Sequence, residues 1–370
     1  MNLLGLNSLG SLVMFFDLLR LTRPCYRGYD WWCNIAFCIV ENHSFSHVIS
    51  PRRLYVLREG PVVEPLVVAE HLYKTYRDGT RAVVDVSFRA GRGVTVLMGP
   101  NGSGKTTTLS MIAGALKPSR GRVLICGYDL WGDGWYRARE CIGYAPQKMP
   151  FVERLTVLEN LVWIGLMRGL SLGEARRRAR RLLEEVGLPD VGGKLVGRLS
   201  GGMRRRLTIA ASLVGDPRVM ILDEPTSGLD PGARESLWRI IRGFSGERAV
   251  VVSTHIPGEA EEYADKVLVF HRGRLVAEGP PGELIARYAP ESLVEVEGVI
   301  PPAMGSVGWR IVEATGDRLV VASRSPDSDL PRLIEWIVSS GGRVRVARVR
   351  RPGLREVYFA LTGEALEEGG

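Results

Sequence analysis

From Pro65 onward, short apolar runs alternate with longer amphipathic stretches. Residues 66–69 and 82–88 read as strands, joined by a turn-rich link over 73–79. Residues 94–98, Val94-Thr95-Val96-Leu97-Met98, form an apolar run of β type. A glycine-rich stretch follows, then a helical run carrying Thr107, Leu109, Met111, Ile112 and Leu116. Residues 123–127 and 142–147 read as further strands. The helical block 155–170 places Leu158, Leu161, Val162 and Leu166 at helical spacings, although Gly165 argues against an unbroken helix. Ser171-x-x-Glu174 reads as a capping box. The helix it opens sets Ala175, Ala179, Leu182, Leu183 and Val186 on one face and arginines on the other, and Gly187 ends it. The run Arg176–Arg178, Arg180 and Arg181 reads first as a solvated face and second as a contact for acidic lipid or a partner.

Further along, a helix follows Ser200-Gly201-Gly202, and residues 219–223 form a buried strand ending in Asp223 and Glu224. A helix over 232–244, a strand over 249–253, a helix over 257–264, a hairpin turning at Arg272-Gly273 and a helix over 282–288 complete this section. The pattern changes near Ala289-Pro290. Three strands (293–296, 310–314, 319–322), a helix (330–338), a strand (344–349) and a closing helix (354–361) predict a small α/β domain over 291–370.

Residues 1–63 do not share this texture. The apolar stretch at 3–16 is too short to span a membrane and lacks a basic flank for a signal peptide. Trp31, Trp32, Cys33, Phe37 and Cys38 form a second apolar knot. An interfacial anchor and an upstream stretch added by a misplaced start codon are the two readings, and the second is preferred. Cys25, Cys33, Cys38, His43 and His47 fit no zinc spacing.

The chain has 370 residues, enough for two or three domains. A hydrophobic content of 45% excludes a disordered chain. The net charge of +8 admits nucleic acid or an anionic membrane as partner, but reads first as dispersed arginine. The five cysteines contain no C-x-x-C pair. Cys126 and Cys141 read as small buried hydrophobes, which points to the cytosol and no disulfide framework.

The chemistry is concentrated at Gly99-Pro100-Asn101-Gly102-Ser103-Gly104-Lys105-Thr106-Thr107, which fits G-x-x-x-x-G-K-[ST] between a strand and a helix. Glycines let successive N–H groups turn toward one anion, and the following helix adds its positive end. Lys105 would reach the β- and γ-phosphates and the Thr106 hydroxyl would ligate Mg²⁺. Four further elements follow in order: Gln147 after a strand, Ser200-Gly201-Gly202 at a helix start, Asp223-Glu224 at a strand end, and His255 after the next strand.

With these motifs the chain resembles the nucleotide-binding subunit of ATP-binding-cassette transporters, over residues 65–287. The ending Gly353-Leu354-Arg355-Glu356-Val357-Tyr358 resembles one branch, the single-cassette ATPases of multidrug, antibiotic or sodium exporters of the ABC-2 type. The resemblance implies an α/β fold: a P-loop NTPase cassette over 64–290, with a mostly parallel core sheet, an antiparallel β edge and a helical subdomain inserted at about 148–214. It implies ATP and Mg²⁺ as cofactors. Asp223, Thr106 and Gln147 would serve the metal, Glu224 would polarise the attacking water, and His255 would hydrogen-bond the γ-phosphate and Glu224. Tyr76 would stack on adenine, with Tyr73 as a nearby rival.

Ser200 and Gly202 would cover ATP held by a second cassette subunit, expected to be another copy of this chain, with Ser227-Gly228-Leu229-Asp230 linking the two. Met203 departs from the Gln of many members and lacks the amide that would contact the opposing ribose. The pathway would belong to a separate membrane-spanning permease, docked at Leu155–Leu161, with this subunit peripheral at the cytoplasmic face. The rival readings are a soluble cassette ATPase acting on nucleic acid or ribosomes, and an ATP-gated module that does not hydrolyse. No nucleic acid is expected, because such proteins usually carry two cassettes or a long coiled coil, and Glu224 opposes the last reading. A chain starting near Val63 is expected to fold and turn over ATP as the full chain does. Insolubility or inactivity of the shortened chain would make the first 63 residues structural.

Overall fold

The computed structural model describes residues 65–301 and 309–366. The expectations for residues 1–63 lie outside the described residues. Two sheets enclose the first core. An antiparallel sheet runs β2-β1-β4-β5, from β1 (Val67–Thr75), β2 (Arg81–Ala90), β4 (Arg120–Ile125) and β5 (Tyr128–Asp129). A six-stranded sheet runs β10-β9-β3-β8-β7-β6, from β3 (Gly93–Met98), β6 (Ile142–Ala145), β7 (Val219–Asp223), β8 (Ala249–Thr254), β9 (Lys266–His271) and β10 (Arg274–Gly279). Its pairings are parallel except for β9 with β10. Every residue of β7 and β8 is buried, as expected of central parallel strands covered on both faces.

Helix α1 (Lys105–Ile112) lies between the sheets and buries Leu109, Met111 and Ile112 in their common core. The link expected over 73–79 is shorter than its sequence suggests. β1 continues to Thr75 because Tyr73 pairs with Arg120 and Lys74 with Val83, so two neighbours satisfy its backbone. The turn is confined to Tyr76–Thr80, closed by the Tyr76 N–H donating to the Thr80 carbonyl at 2.9 Å. Helix α2 (Trp135–Glu140) and strand β5 have no counterpart among the expected elements, being too short for a periodic pattern. Cys126 is buried and Cys141 half-buried, both as free thiols.

The helical section comprises α3 (Val157–Met167), α4 (Leu172–Glu185) and α5 (Gly201–Leu213). Reciprocal capping boxes start α3 at Thr156/Glu159 and α4 at Ser171/Glu174. α4 buries Ala175, Ala179, Leu182 and Leu183; Arg176, Arg177, Arg180 and Arg181 are exposed, whereas Arg178 is half-buried and pairs with Asp216 at 2.8 Å. Gly165 does not interrupt α3. A Cβ there would fall 2.8 Å from the Cβ of Ala175, so glycine is what lets α3 and α4 approach closely. Helices α6 (Pro231–Gly243), α7 (Pro257–Tyr263) and α8 (Pro281–Tyr288) complete this section.

A third sheet, antiparallel in the order β12-β13-β11-β14, comprises β11 (Ser292–Val299), β12 (Arg310–Ala314), β13 (Arg318–Ser323) and β14 (Arg343–Arg350). Helix α9 (Pro326–Ser339) covers one face through Leu333 and Ile337, against Val294, Val296, Leu319 and Val321. On β11 the nearly buried Glu295 accepts from Arg348 Nε at 2.7 Å and lies 3.7 Å from Arg318 and Arg350. Part of the arginine excess is thereby matched within the chain. The closing helix α10 (Leu354–Thr362) leaves this sheet and packs on α7 and α8.

The Gly165–Ala175 contact is testable. Gly165→Ala should cost about 1–3 kcal/mol by overpacking. Adding Ala175→Gly should recover part of that loss even though glycine disfavours a helix. Urea unfolding of the two single variants and the double variant measures the coupling. Additive losses would mean that the helices separate freely at this point.

Candidate functional site

The loop between β3 and α1 is seated on backbone. A Cβ at Gly99 would lie 2.3 Å from the Phe270 carbonyl oxygen, and one at Gly104 would lie 2.6 Å from that of Ala82. Gly104 also has φ near 101° at the N-cap of α1, a conformation that favours glycine. Lys105 is almost fully buried. Its Nζ donates to the Gly99 carbonyl at 2.7 Å and the Pro100 carbonyl at 2.9 Å, which holds the ammonium inside the loop. Burial lowers the Lys105 pKa, and the carboxylates of Glu224 and Asp223 oppose that shift.

Asp223 ends β7. Its Oδ1 accepts from Ser253 Oγ at 2.6 Å and Thr106 Oγ1 at 3.1 Å. Burial raises its pKa, the two hydroxyl hydrogen bonds lower it, the Glu224 charge raises it, and Lys105 lowers it, with a net rise. The next residue, Glu224, has φ near 46°, an uncommon conformation for a residue with a side chain. Its N–H donates to Ser253 Oγ at 2.9 Å. Gln147 Nε2 donates to Glu224 Oε2 at 3.3 Å, and His255 Nδ1 stands 3.5 Å from Glu224 Oε1. The sequence-predicted Gln147, Glu224 and His255 therefore converge, while Thr106 is hydrogen-bonded to Asp223 and Lys105 is held by the carbonyls of the loop.

The two tyrosine candidates separate. Tyr76 is exposed, with its hydroxyl 3.3 Å from Thr107 Oγ1 at the phosphate loop. Tyr73 lies inside β1. Ser200 N-caps α5, accepting from the Met203 N–H at 3.3 Å, and Asp230 N-caps α6, accepting from the Ala233 N–H at 3.0 Å. Gly201 and Gly202 form the first turn of α5. Ser200 and Gly202 border a groove of about 380 Å³ shared with Gly187, Met203, Arg206 and Leu229, and no residue of the phosphate loop lines it.

Sequence reasoning passed over two residues of the site. Ser253 ties Asp223 to the backbone of Glu224. Arg205 donates from Nη1 to the Gln147 carbonyl at 2.6 Å and from Nη2 to the Ser227 carbonyl at 3.3 Å. Burial lowers the Arg205 pKa, against the charges of Glu224 and Asp223. In the triplet Arg204-Arg205-Arg206 nothing local distinguishes the central arginine. Its register on α5, five residues after Ser200, was the available signal.

The raised pKa of Asp223 has a consequence for stability. An acid whose folded pKa exceeds its unfolded one makes the folded state less stable as pH rises through that interval. The cost is fully present above it. Asp223→Asn, whose Oδ1 still accepts both hydroxyls, should therefore stabilise the protein at neutral pH without Mg²⁺. The expected gain is about 1 kcal/mol, a rise of about 2 °C in the midpoint. A lower midpoint in a thermal melt would mean that the carboxylate stabilises the fold.

A family model described as "ABC transporter" matches residues 83–227. The "Nod factor export ATP-binding protein I" of Ralstonia nicotianae is 37% identical over 311 residues, which cover 82% of this chain and 96% of that protein. The "Doxorubicin resistance ATP-binding protein DrrA" of Mycobacterium tuberculosis is 36% identical, covering 81% of this chain and 95% of its own. A solved ATP-binding cassette, a dimeric post-hydrolysis state bound to ADP and Pi, superposes with a TM-score of 0.53. It is 27% identical and covers 58% of this chain and 98% of that one. The motifs resemble one family, the fold is its fold, and relatives of full length carry both, so this chain belongs to the ABC transporter family, as an ATP-hydrolysing subunit of the single-cassette exporter branch.

Proposed function

We propose that two copies of this chain close head to tail around two ATP molecules and drive a separate membrane-spanning permease that exports its cargo. The convergence of Gln147 and His255 on Glu224, beside Lys105 and the hydrogen-bonded Thr106–Asp223 pair, carries this reading. The donors suit a hard cation: the Thr106 hydroxyl, the Asp223 carboxylate and the Gln147 amide are all oxygen ligands. Gln147 donates its NH₂ group to Glu224 and keeps its amide oxygen for the metal. Held by these residues, Mg²⁺ would supply positive charge that offsets the charge on the phosphates. Lys105 binds those phosphates, Tyr76 stacks on the adenine, and Glu224 orients the attacking water and accepts its proton. His255 holds the γ-phosphate and steadies Glu224.

Ser200 and Gly202 serve the ATP of the other subunit. They start a helix outside the phosphate loop of their own chain, and the related cassette above is dimeric. The subunit sits peripherally at the cytoplasmic face of the membrane. No helix among the described residues is long and apolar enough to cross a membrane, which favours a separate permease. The export relatives support an outward direction and weigh against a role on ribosomes or nucleic acid. Segment Leu155–Leu161, which contains the capped start of α3, is assigned to permease docking.

Glu224→Gln should keep ATP binding and lose turnover by at least about 100-fold, the usual size of a general-base contribution. Near-normal hydrolysis would remove Glu224 from the catalytic role. Light scattering should find this variant monomeric without nucleotide and dimeric with ATP. Adding Ser200→Arg should abolish the dimer while each monomer still binds ATP, because the cation is buried unpaired at the seam. An ATP-driven dimer that survives Ser200→Arg would refute the shared site.

A further inference from the structure

The C-terminal helix α10 touches the cassette at two places that matter for nucleotide. The first is the turn between β9 and β10. On its inner side that turn seats the phosphate loop. The Phe270 carbonyl fills the space beside Gly99, the Gly273 N–H donates to the Ser103 carbonyl at 3.0 Å, and the Gly273 Cα would sit 3.3 Å from a Cβ at Gly104. The first and last glycines of the loop and its middle carbonyl therefore rest on one four-residue piece of backbone, Phe270 to Gly273. No side chain on that piece sets the loop's position.

On its outer side the same turn is held by α10 and the residues just after it. Tyr358, fully buried, places its hydroxyl 2.7 Å from His271 Nδ1, and their rings meet edge to face with centroids 5.9 Å apart. Arg272 pairs with Glu364, whose carboxylate also lies 3.9 Å from His271 Nδ1. The second place is α7, which begins two residues after His255. There the Leu354 N–H, at the start of α10, donates to Glu261. One short helix therefore grips the support of the phosphate loop and the helix that follows His255.

Sequence distance makes this contact informative. Between the β9–β10 hairpin and α10 the chain builds a complete four-stranded sheet with its own core, then returns. A buried tyrosine hydroxyl needs a partner, and here that partner is the histidine of the turn that seats the phosphate loop. We infer that α10 is a brace for the phosphate loop and that Tyr358 is a positioning residue for ATP binding, acting through His271. The C-terminal domain thereby sets nucleotide affinity, whatever partner or cargo the subunit serves. The α7 contact is made by Leu354, whereas the Tyr358 hydroxyl meets the turn, and Gln147 and Glu224 lie outside that turn, so the Tyr358 contact bears on affinity and not on the chemical step.

The test uses the full chain with a fluorescent ATP analogue for Kd and steady-state hydrolysis for KM and kcat. Tyr358→Phe removes the hydroxyl and keeps the ring. It should raise Kd and KM about fivefold, equivalent to about 1 kcal/mol, while kcat at saturating ATP stays within about twofold. Glu364→Gln, which weakens the pairing with Arg272 on the same turn, should act in the same direction. Val357→Ala, a buried change on the same helix, serves as the control for general destabilisation. It should lower the melting temperature at least as much and leave Kd unchanged. An unaltered Kd in Tyr358→Phe would overturn the inference. So would an equal loss of affinity in Val357→Ala, because affinity would then follow stability and not the contact.

Discussion

A single buried carboxylate sets the terms for the site. Asp223 ends a strand with no exposed residue, and an ionised group there is unfavourable unless it is hydrogen-bonded. Its two hydroxyl donors come from different places, Thr106 at the start of α1 and Ser253 near the end of β8. Both bonds fall to one oxygen, leaving the other lone pairs for a cation. The parallel register does the rest. Asp223 stands beside Ser253 on β7 and β8, and Thr254 beside Met98 on β8 and β3, so three strands deliver their chemistry at one height. Ligands of open α/β sheets bind where such strand ends gather.

The strain lies one residue later. Glu224 adopts a left-handed backbone immediately after the buried strand, which turns its side chain toward Gln147 and His255 and away from the direction β7 would give it. Conformations of this kind cost about 1–3 kcal/mol and persist where the surroundings over-determine them. Here the Ser253 hydroxyl, already committed to Asp223, accepts from the Glu224 N–H and holds the turn. Two adjacent acids thus take separate tasks because their backbones diverge.

Much of this was legible in the sequence. Apolar runs gave β3, β7 and β8, because strands buried on both faces carry few polar residues. The phosphate loop was legible because its chemistry demands glycine where backbone approaches backbone, as Gly99 and Gly104 do against Phe270 and Ala82. What remained hidden was non-local. The last residues of β1 are held by two partners, Tyr73 by Arg120 of β4, nearly fifty residues away, and Lys74 and Thr75 by Val83 and Arg81 of β2. Gly165 argued against a helix until its neighbour across the interface, Ala175, was known. Arg205 shares its residue type with both neighbours and is set apart only by its register on α5, and the return of α10 to the cassette leaves no mark on the periodicity of either segment.

The grip of Arg205 has one further consequence. Both of its hydrogen bonds end on main-chain carbonyls, those of Gln147 and Ser227. Such a linkage uses only main chain at both positions, so the Gln147 amide stays available for Glu224 and the metal while the tie holds. It does require a planar donor able to reach two acceptors at once, which a lysine ammonium at the end of a flexible stem supplies poorly. The constraint therefore falls on one residue of the pattern and spares the two it joins. Among homologues that keep this geometry the anchor should stay arginine, whatever side-chain chemistry holds the two joined positions.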